Sequence, residues 1–136
     1  MADNLDPVLE GLRVLVVEDN ATNRMIATKL LEAMGAEVTT AADGYLGVEA
    51  AEAGGFDLIL MDVQMPGIDG LEAARRIRAL GGPPSQTPIV ALTANVLSHQ
   101  RSAYLAAGMD GVVGKPISPA VLISEIMRLS RAGPDA

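Results

Sequence analysis

Five short apolar runs, each followed by a stretch with helical spacing, limit what this chain can fold into more than any other feature. The runs lie at 12–17 (LRVLVV), 37–41 (EVTTA), 57–61 (DLILM), 88–92 (PIVAL) and 111–114 (GVVG). They are too short for buried helices and suit strands. The first intervening stretch, from Asn20 or Ala21 to Met34, places Ile26, Leu30 and Met34 at i, i+4 and i+8. Asp19 or Asn20 can cap it and Gly35 can end it. Further helices are expected at 43–53, closed by Gly54-Gly55, at 70–80, at 95–107, ended by Gly108, and at 118–129. Ser118 caps the last, with Pro119 at its first position. Pro66 and Gly67 mark 62–69 as a loop, and 81–85 reads as another. Strands alternating with helices imply a parallel sheet covered on both faces. The fold class is therefore α/β: a single doubly wound five-stranded parallel sheet. The domain spans 12–130, with 1–11 as an N-terminal extension or linker stub and 131–136 as a C-terminal tail.

Composition narrows the function. With 136 residues and 49% apolar content the chain holds one core. A net charge of −7 excludes a nucleic-acid binder, which needs a basic face. The absence of cysteine removes disulfides, thiolate catalysis and Cys-based zinc sites. A single histidine, His99, provides no cluster for a transition metal. No apolar run approaches the ~20 residues of a membrane span. The acidic N-terminus, MADNLDPVLEG, lacks the order of a signal peptide. A soluble, cytoplasmic protein with no membrane contact is expected.

In open α/β sheets ligands bind beyond the carboxyl ends of the strands. Glu18 and Asp19 follow the first run, Asp62 the third, Thr93 the fourth, and Lys115-Pro116 the fifth. Asp43, after the second, is expected farther away. Each has a plain structural explanation alone: a helix cap, a turn former, an exposed bend. Together they put three carboxylates, a hydroxyl and an ammonium on one edge. Such carboxylates repel unless a cation compensates them. Oxygen ligands without His or Cys select a hard cation, here Mg²⁺. Asp19 and Asp62 are the expected direct ligands, with Glu18 acting through water. A carboxylate beside Mg²⁺ and a lysine is placed to attack phosphorus, giving an aspartyl phosphate. Thr93 could then donate its hydroxyl to a phosphoryl oxygen.

Several segments resemble the receiver domain of two-component response regulators. These are Val16-Val17-Glu18-Asp19-Asn20, the stretch from Leu60 through Asp62 to Gly70, Ala91-Leu92-Thr93-Ala94 and Gly114-Lys115-Pro116-Ile117. The likeness covers roughly 12–130. It implies a flavodoxin-like (βα)5 fold with strand order 2-1-3-4-5. It implies Asp62 as phosphoacceptor and Mg²⁺ bound by Asp19, Asp62 and the backbone carbonyl of Gln64, with Glu18 as the outer acidic partner. Lys115 would pair with the carboxylate and then the phosphoryl group, across a cis bond to Pro116. Thr93 would be the switch hydroxyl. The donor would be a phosphohistidine on a histidine kinase or histidine phosphotransfer protein. Glu18 to Arg24, and Ala107-Gly108-Met109-Asp110 through Lys115-Pro116-Ile117, look most like receivers of hybrid histidine kinases. A stand-alone regulator stays open beside that setting, and the oligomeric state is not fixed.

One departure stands out. The family usually carries Tyr or Phe three residues before the lysine, and here that position is Val112. Tyr104, in the preceding helix, is no substitute by position. Activation is then expected to reach the fourth helix and fifth strand by another route, or to shift them little. The other conspicuous residues read plainly. His99 is expected on the solvated surface, and Arg75, Arg76 and Arg78 form a solvated helix end. Met34 and Met61 fill core. Met25 falls off the apolar stripe, as part of a docking face or as an incidental surface residue. Two other functions compete. A pseudo-receiver that only binds partners would typically lack one of the acidic, acceptor or lysine positions. A Mg²⁺-dependent phosphatase of the haloacid dehalogenase type would want a second Asp where Gln64 stands.

Overall fold

The β-branched and leucine-rich runs have little freedom except as strands buried between helices. In the computed structural model residues 8–94 and 98–130 are described, the side chains at 98–100 and 130 excepted. The elements alternate strictly: β1 (Arg13–Val17), α1 (Ala21–Ala33), β2 (Glu37–Ala41), α2 (Gly44–Ala53), β3 (Leu58–Asp62), α3 (Gly70–Arg78), a 3-10 turn at Pro83–Gln86, β4 (Ile89–Thr93), α4 (Ser98–Ala106), β5 (Gly111–Gly114) and α5 (Pro119–Ser130). The five strands pair in parallel in the order β2-β1-β3-β4-β5. That is the doubly wound, flavodoxin-like order implied by the resemblance.

Asp62 and Thr93 close their strands rather than follow them, because each is held in the ladder, Asp62 opposite Leu92 and Thr93 opposite Gly114. The segment 81–85, expected as a loop, carries the 3-10 turn, whose first residue is Pro83 with φ already fixed. Asn95, the expected start of the fourth helix, and the side chain of His99 lie outside the described residues.

Strand residues alternate between two walls. Leu15, Val17, Ile59, Met61, Ile89, Ala91 and Val112 face one core, closed by Ala51 of α2, Ala73, Ala74 and Ile77 of α3, and Tyr104 of α4. Val14, Val16, Leu58, Leu60, Val90, Leu92 and Val113 face the other, closed by Ala27 and Leu31 of α1 and by Leu122 and Ile126 of α5. Leu9 is buried in that second core, and its N–H donates to the carbonyl of Met34. The packed body therefore begins before β1.

Three expectations need correcting. β2 is not buried on both faces, since only Ala41 of its five residues is buried; it forms one edge of the sheet. The buried stripe of α1 runs through Ala27 and Leu31, and Ile26 is exposed beside Met25. The small Ala27 lets the helix sit close to the sheet, which turns Ile26 outward. Arg78, expected as solvated, crosses instead to the β4 and β5 side of the fold. Its guanidinium donates to the carbonyls of Gly108, Ser85 and Thr87 at 2.9, 2.9 and 2.7 Å and pairs with Asp110 at 2.8 Å. Arg75 and Arg76 do remain on the surface, bridged to Glu72. Replacing Arg78 strips three carbonyls of a charged donor at once. Arg78→Ala should cost about 2–4 kcal/mol in urea unfolding, with Arg78→Lys recovering only part, since an ammonium cannot span the same fork.

Candidate functional site

The parallel register brings the carboxyl ends of β1, β3, β4 and β5 to a common edge. Glu18 leaves β1 buried, its backbone N–H donating to Ala41 of β2 at 3.1 Å. Asn20 caps α1 through its side chain, and its own N–H donates to Glu18 Oε2 at 3.1 Å. The Arg24 guanidinium reaches back to the Glu18 carbonyl at 2.8 Å. The turn carrying Glu18 and Asp19 is thus fixed from both sides. Asp62 closes β3 and is buried, and the N–H of Gln64 donates to its Oδ1 at 3.2 Å. α3 begins against the Asp62 carbonyl, where a Cβ on Gly70 would collide, so only glycine allows this approach. Asp69 then caps α3 through Glu72 N–H.

From the far side comes Lys115, just beyond β5. Its N–H donates to the Thr93 carbonyl at 2.8 Å, and its bond to Pro116 is cis, as the resemblance implied. Its ammonium lies 3.1 Å from Asp62 Oδ1 and 3.4 Å from Glu18 Oε1. Burial pulls the Lys115 ammonium down, but the hydrogen bonds and charges of Asp62 and Glu18 outweigh this and hold it above its ordinary value. Burial, then the adjoining Asp62, pushes Glu18 up to about 7. One cation does not neutralise two buried acids.

Glu18, Asp19 and Asp62 each place a carboxylate oxygen within 4.8 Å of the others. Carboxylate oxygens this close suit one small hard cation shared by Asp19 and Asp62. Glu18 Oε1 is buried and has the Lys115 ammonium at 3.4 Å but no further hydrogen bond, which leaves it able to accept from a metal-bound water. The donor set, all oxygen, fits that ion and no soft metal.

The structure thus gathers Glu18, Asp19, Asp62 and Lys115 at one point, with Gln64 on the loop beside it and Thr93 at the adjoining strand end. Asp43 belongs elsewhere, as the cap of α2 that accepts from Leu46 N–H. The sequence reading missed one contact. Tyr104 OH lies 3.0 Å from Thr93 Oγ1, with both residues buried, so the tyrosine set aside by position reaches the Thr93 hydroxyl in space. No pattern of strand ends could reveal it, because the two are joined across α4 and β4 rather than along the edge.

The sequence model of the response regulator receiver domain matches residues 14–127, and the chain belongs to that family. It is a phosphoacceptor module of two-component signalling. The sensor protein GacS of Pseudomonas syringae pv. syringae is 45% identical over 118 residues, covering 85% of this chain and 13% of that protein. The aerobic respiration control sensor protein ArcB of Escherichia coli K12 is 39% identical over 126 residues, 93% of this chain and 16% of that protein. The chain therefore spans only a small part of these relatives. Among solved structures, the receiver domain of the sensor histidine kinase PA1611 from Pseudomonas aeruginosa PAO1 superposes with a TM-score of 0.82 at 40% identity, covering 89% of this chain and 98% of that one. That structure holds a magnesium ion in its active-site cleft.

Since the folded value of Glu18, about 7, exceeds its ordinary value of 4.5, its protonated form is favoured by folding. That contribution is full below pH ~4.5 and is lost as pH rises through ~7. In metal-free buffer the stability of the parent should therefore fall relative to Glu18→Gln between pH 5 and 8, by about 2–3 kcal/mol. Urea midpoints of the two proteins across that range check it; a constant gap would contradict the raised value assigned to Glu18.

Proposed function

We propose that Asp62 is the phosphoacceptor and that the donor is a phosphohistidine on a histidine kinase or histidine phosphotransfer protein. The observation that carries this reading is the Lys115 ammonium seated against both Asp62 and Glu18, on an edge where three carboxylates meet. A carboxylate oxygen of Asp62 attacks phosphorus, the P–N bond breaks, and the leaving imidazole nitrogen keeps the bonding pair and takes up a proton. Lys115, already 3.1 Å from the acceptor, is placed to follow the charge onto the phosphoryl oxygens. Thr93, at the end of the next strand, supplies a hydroxyl donor to the same group. Asp19, Asp62 and the backbone carbonyl of Gln64 would hold Mg²⁺, with Glu18 acting through water. When bound, Mg²⁺ would supply neutralisation of charge on the transferring group. Met25 and Ile26, exposed on α1 beside the Glu18 turn, offer apolar surface to a protein donor.

The chain does not turn over a separate substrate in this reading; the acyl phosphate is its signal and water removes it. Its sequence relatives favour a place within a hybrid histidine kinase over a stand-alone regulator. Both settings lie in the cytoplasm.

Incubation with Mg²⁺ and acetyl phosphate should add the mass of one phosphoryl group to the intact chain. Asp62→Asn, or chelation of the metal, should abolish the gain. The Asn variant should also melt higher, because it removes one of two adjoining buried carboxylates. Uptake that survives Asp62→Asn would refute the acceptor assignment. Lys115→Ala should slow uptake by about 10²-fold, the usual cost of one well-placed charge-stabilising donor.

A further inference from the structure

With Val112 at the position where the family carries its aromatic, nothing on β5 supplies a hydroxyl to Thr93. The structure assigns that role to Tyr104: we propose that it is the positioning residue that couples Thr93, and through it a phosphoryl group on Asp62, to α4. The inference rests on the acceptor reading above and goes beyond it.

Tyr104 is buried to 2% exposure, while its described neighbours on α4, residues 101–103 and 105–106, are all exposed. Among the described side chains of α4, the tyrosine is thus the peg that enters the core. It lies in the same buried cluster as Val112, Ala91 and Met109. A valine at 112 is small, so the core beside β5 has room for a ring that arrives from α4. The ring ends at Thr93 Oγ1, 3.0 Å away. Thr93 in turn is tied by its backbone to Lys115, which touches Asp62. A continuous path of polar contacts therefore leads from Asp62 to the one buried side chain among those described on α4.

A hydroxyl can donate one hydrogen bond and accept two. Either atom can be the donor in the Thr93–Tyr104 bond as it stands. A phosphoryl group on Asp62 breaks this symmetry. Its anionic oxygens are stronger acceptors than a phenol, so the Thr93 proton turns toward them. Thr93 Oγ1 is then left as an acceptor, and Tyr104 must be the donor. The chain Tyr104 O–H to Thr93 O–H to phosphoryl oxygen acquires a fixed direction, and each bond polarises the next. Any movement of Thr93 toward the phosphoryl group pulls on the phenol. Because the ring is a buried anchor of α4, the pull is delivered to the helix, with no aromatic rotation on β5.

The test is hydrogen–deuterium exchange of the α4 amides, with and without Mg²⁺ and acetyl phosphate, in the parent, Tyr104→Phe and Thr93→Val. Intact mass measures phosphoryl occupancy in the same samples, and comparisons are made at equal occupancy. The parent should show a phosphorylation-dependent change in α4. Tyr104→Phe keeps the ring and its packing, yet should reduce that change by about fivefold, the worth of one buried hydrogen bond. Thr93→Val, acting from the other end, should reduce it likewise. A second readout uses the composition. The chain has no tryptophan and two tyrosines, and Tyr45 is 55% exposed. In a Tyr45→Phe background the tyrosine absorption reports Tyr104 alone and should shift on phosphorylation only while Thr93 is present. An α4 response of full size in Tyr104→Phe, or an unresponsive α4 in a phosphorylated parent, would overturn the coupling. No mass gain in the parent would instead overturn the acceptor reading, and the coupling with it.

Discussion

Two buried acids, Glu18 and Asp62, stand side by side at the ends of adjacent strands, and the ammonium of Lys115 is set between them. Much of the surrounding architecture serves this one arrangement. The strand order puts β1 next to β3 and β5 one strand beyond β4, so three distant parts of the chain end together. Gly70 lets α3 start against the Asp62 carbonyl. Asn20 and Arg24 lock the turn that carries the acids. The cluster holds three carboxylates against one ammonium, and burial, then the adjoining Asp62, holds Glu18 above its ordinary value. A site in that condition is primed for a divalent ion and for a group that brings its own proton-poor oxygens under the control of a lysine. Stability is set aside locally so that chemistry can happen there.

Most of the fold was legible in the sequence because its signals are redundant. Five runs such as VLVV and LILM, each followed by a helical stretch, leave few topologies, and chirality and burial select among them. The acidic edge was legible for the same reason: in a parallel sheet every strand's end faces the same way, so residues one step past each run must converge. The strand order itself came only with the family resemblance. Nothing in hydrophobic spacing states which strand lies beside which.

What escaped the sequence were contacts fixed by tertiary geometry. Arg78 sits in a run of arginines that looks like a solvated helix end, and its carbonyl partners lie 7, 9 and 30 residues away. The α1 stripe was misplaced by one position because Ile26 is the more conspicuous apolar residue, whereas packing distance favours the small Ala27. β2 looked like a central strand by type, and only its place at the sheet edge exposes it. Tyr104 was dismissed by counting along the chain, although two helical turns of α4 carry its hydroxyl back to the strand end. Helices shift side chains in space in ways that linear offsets from a motif do not express.

The distance along the chain between Asp62 and Lys115 has a consequence for biosynthesis. Fifty-three residues separate them. A ribosome releases Asp62 well before the lysine has been made, and a nascent fragment ending at α3 would already carry Glu18, Asp19 and Asp62. Such a fragment lacks β4 and β5, and with them both the ammonium and the threonine. The cluster of acids and lysine is complete only when the last strand closes against the sheet. Half-made or unravelled copies therefore carry the acids without the cation and the hydroxyl that the proposed transfer needs.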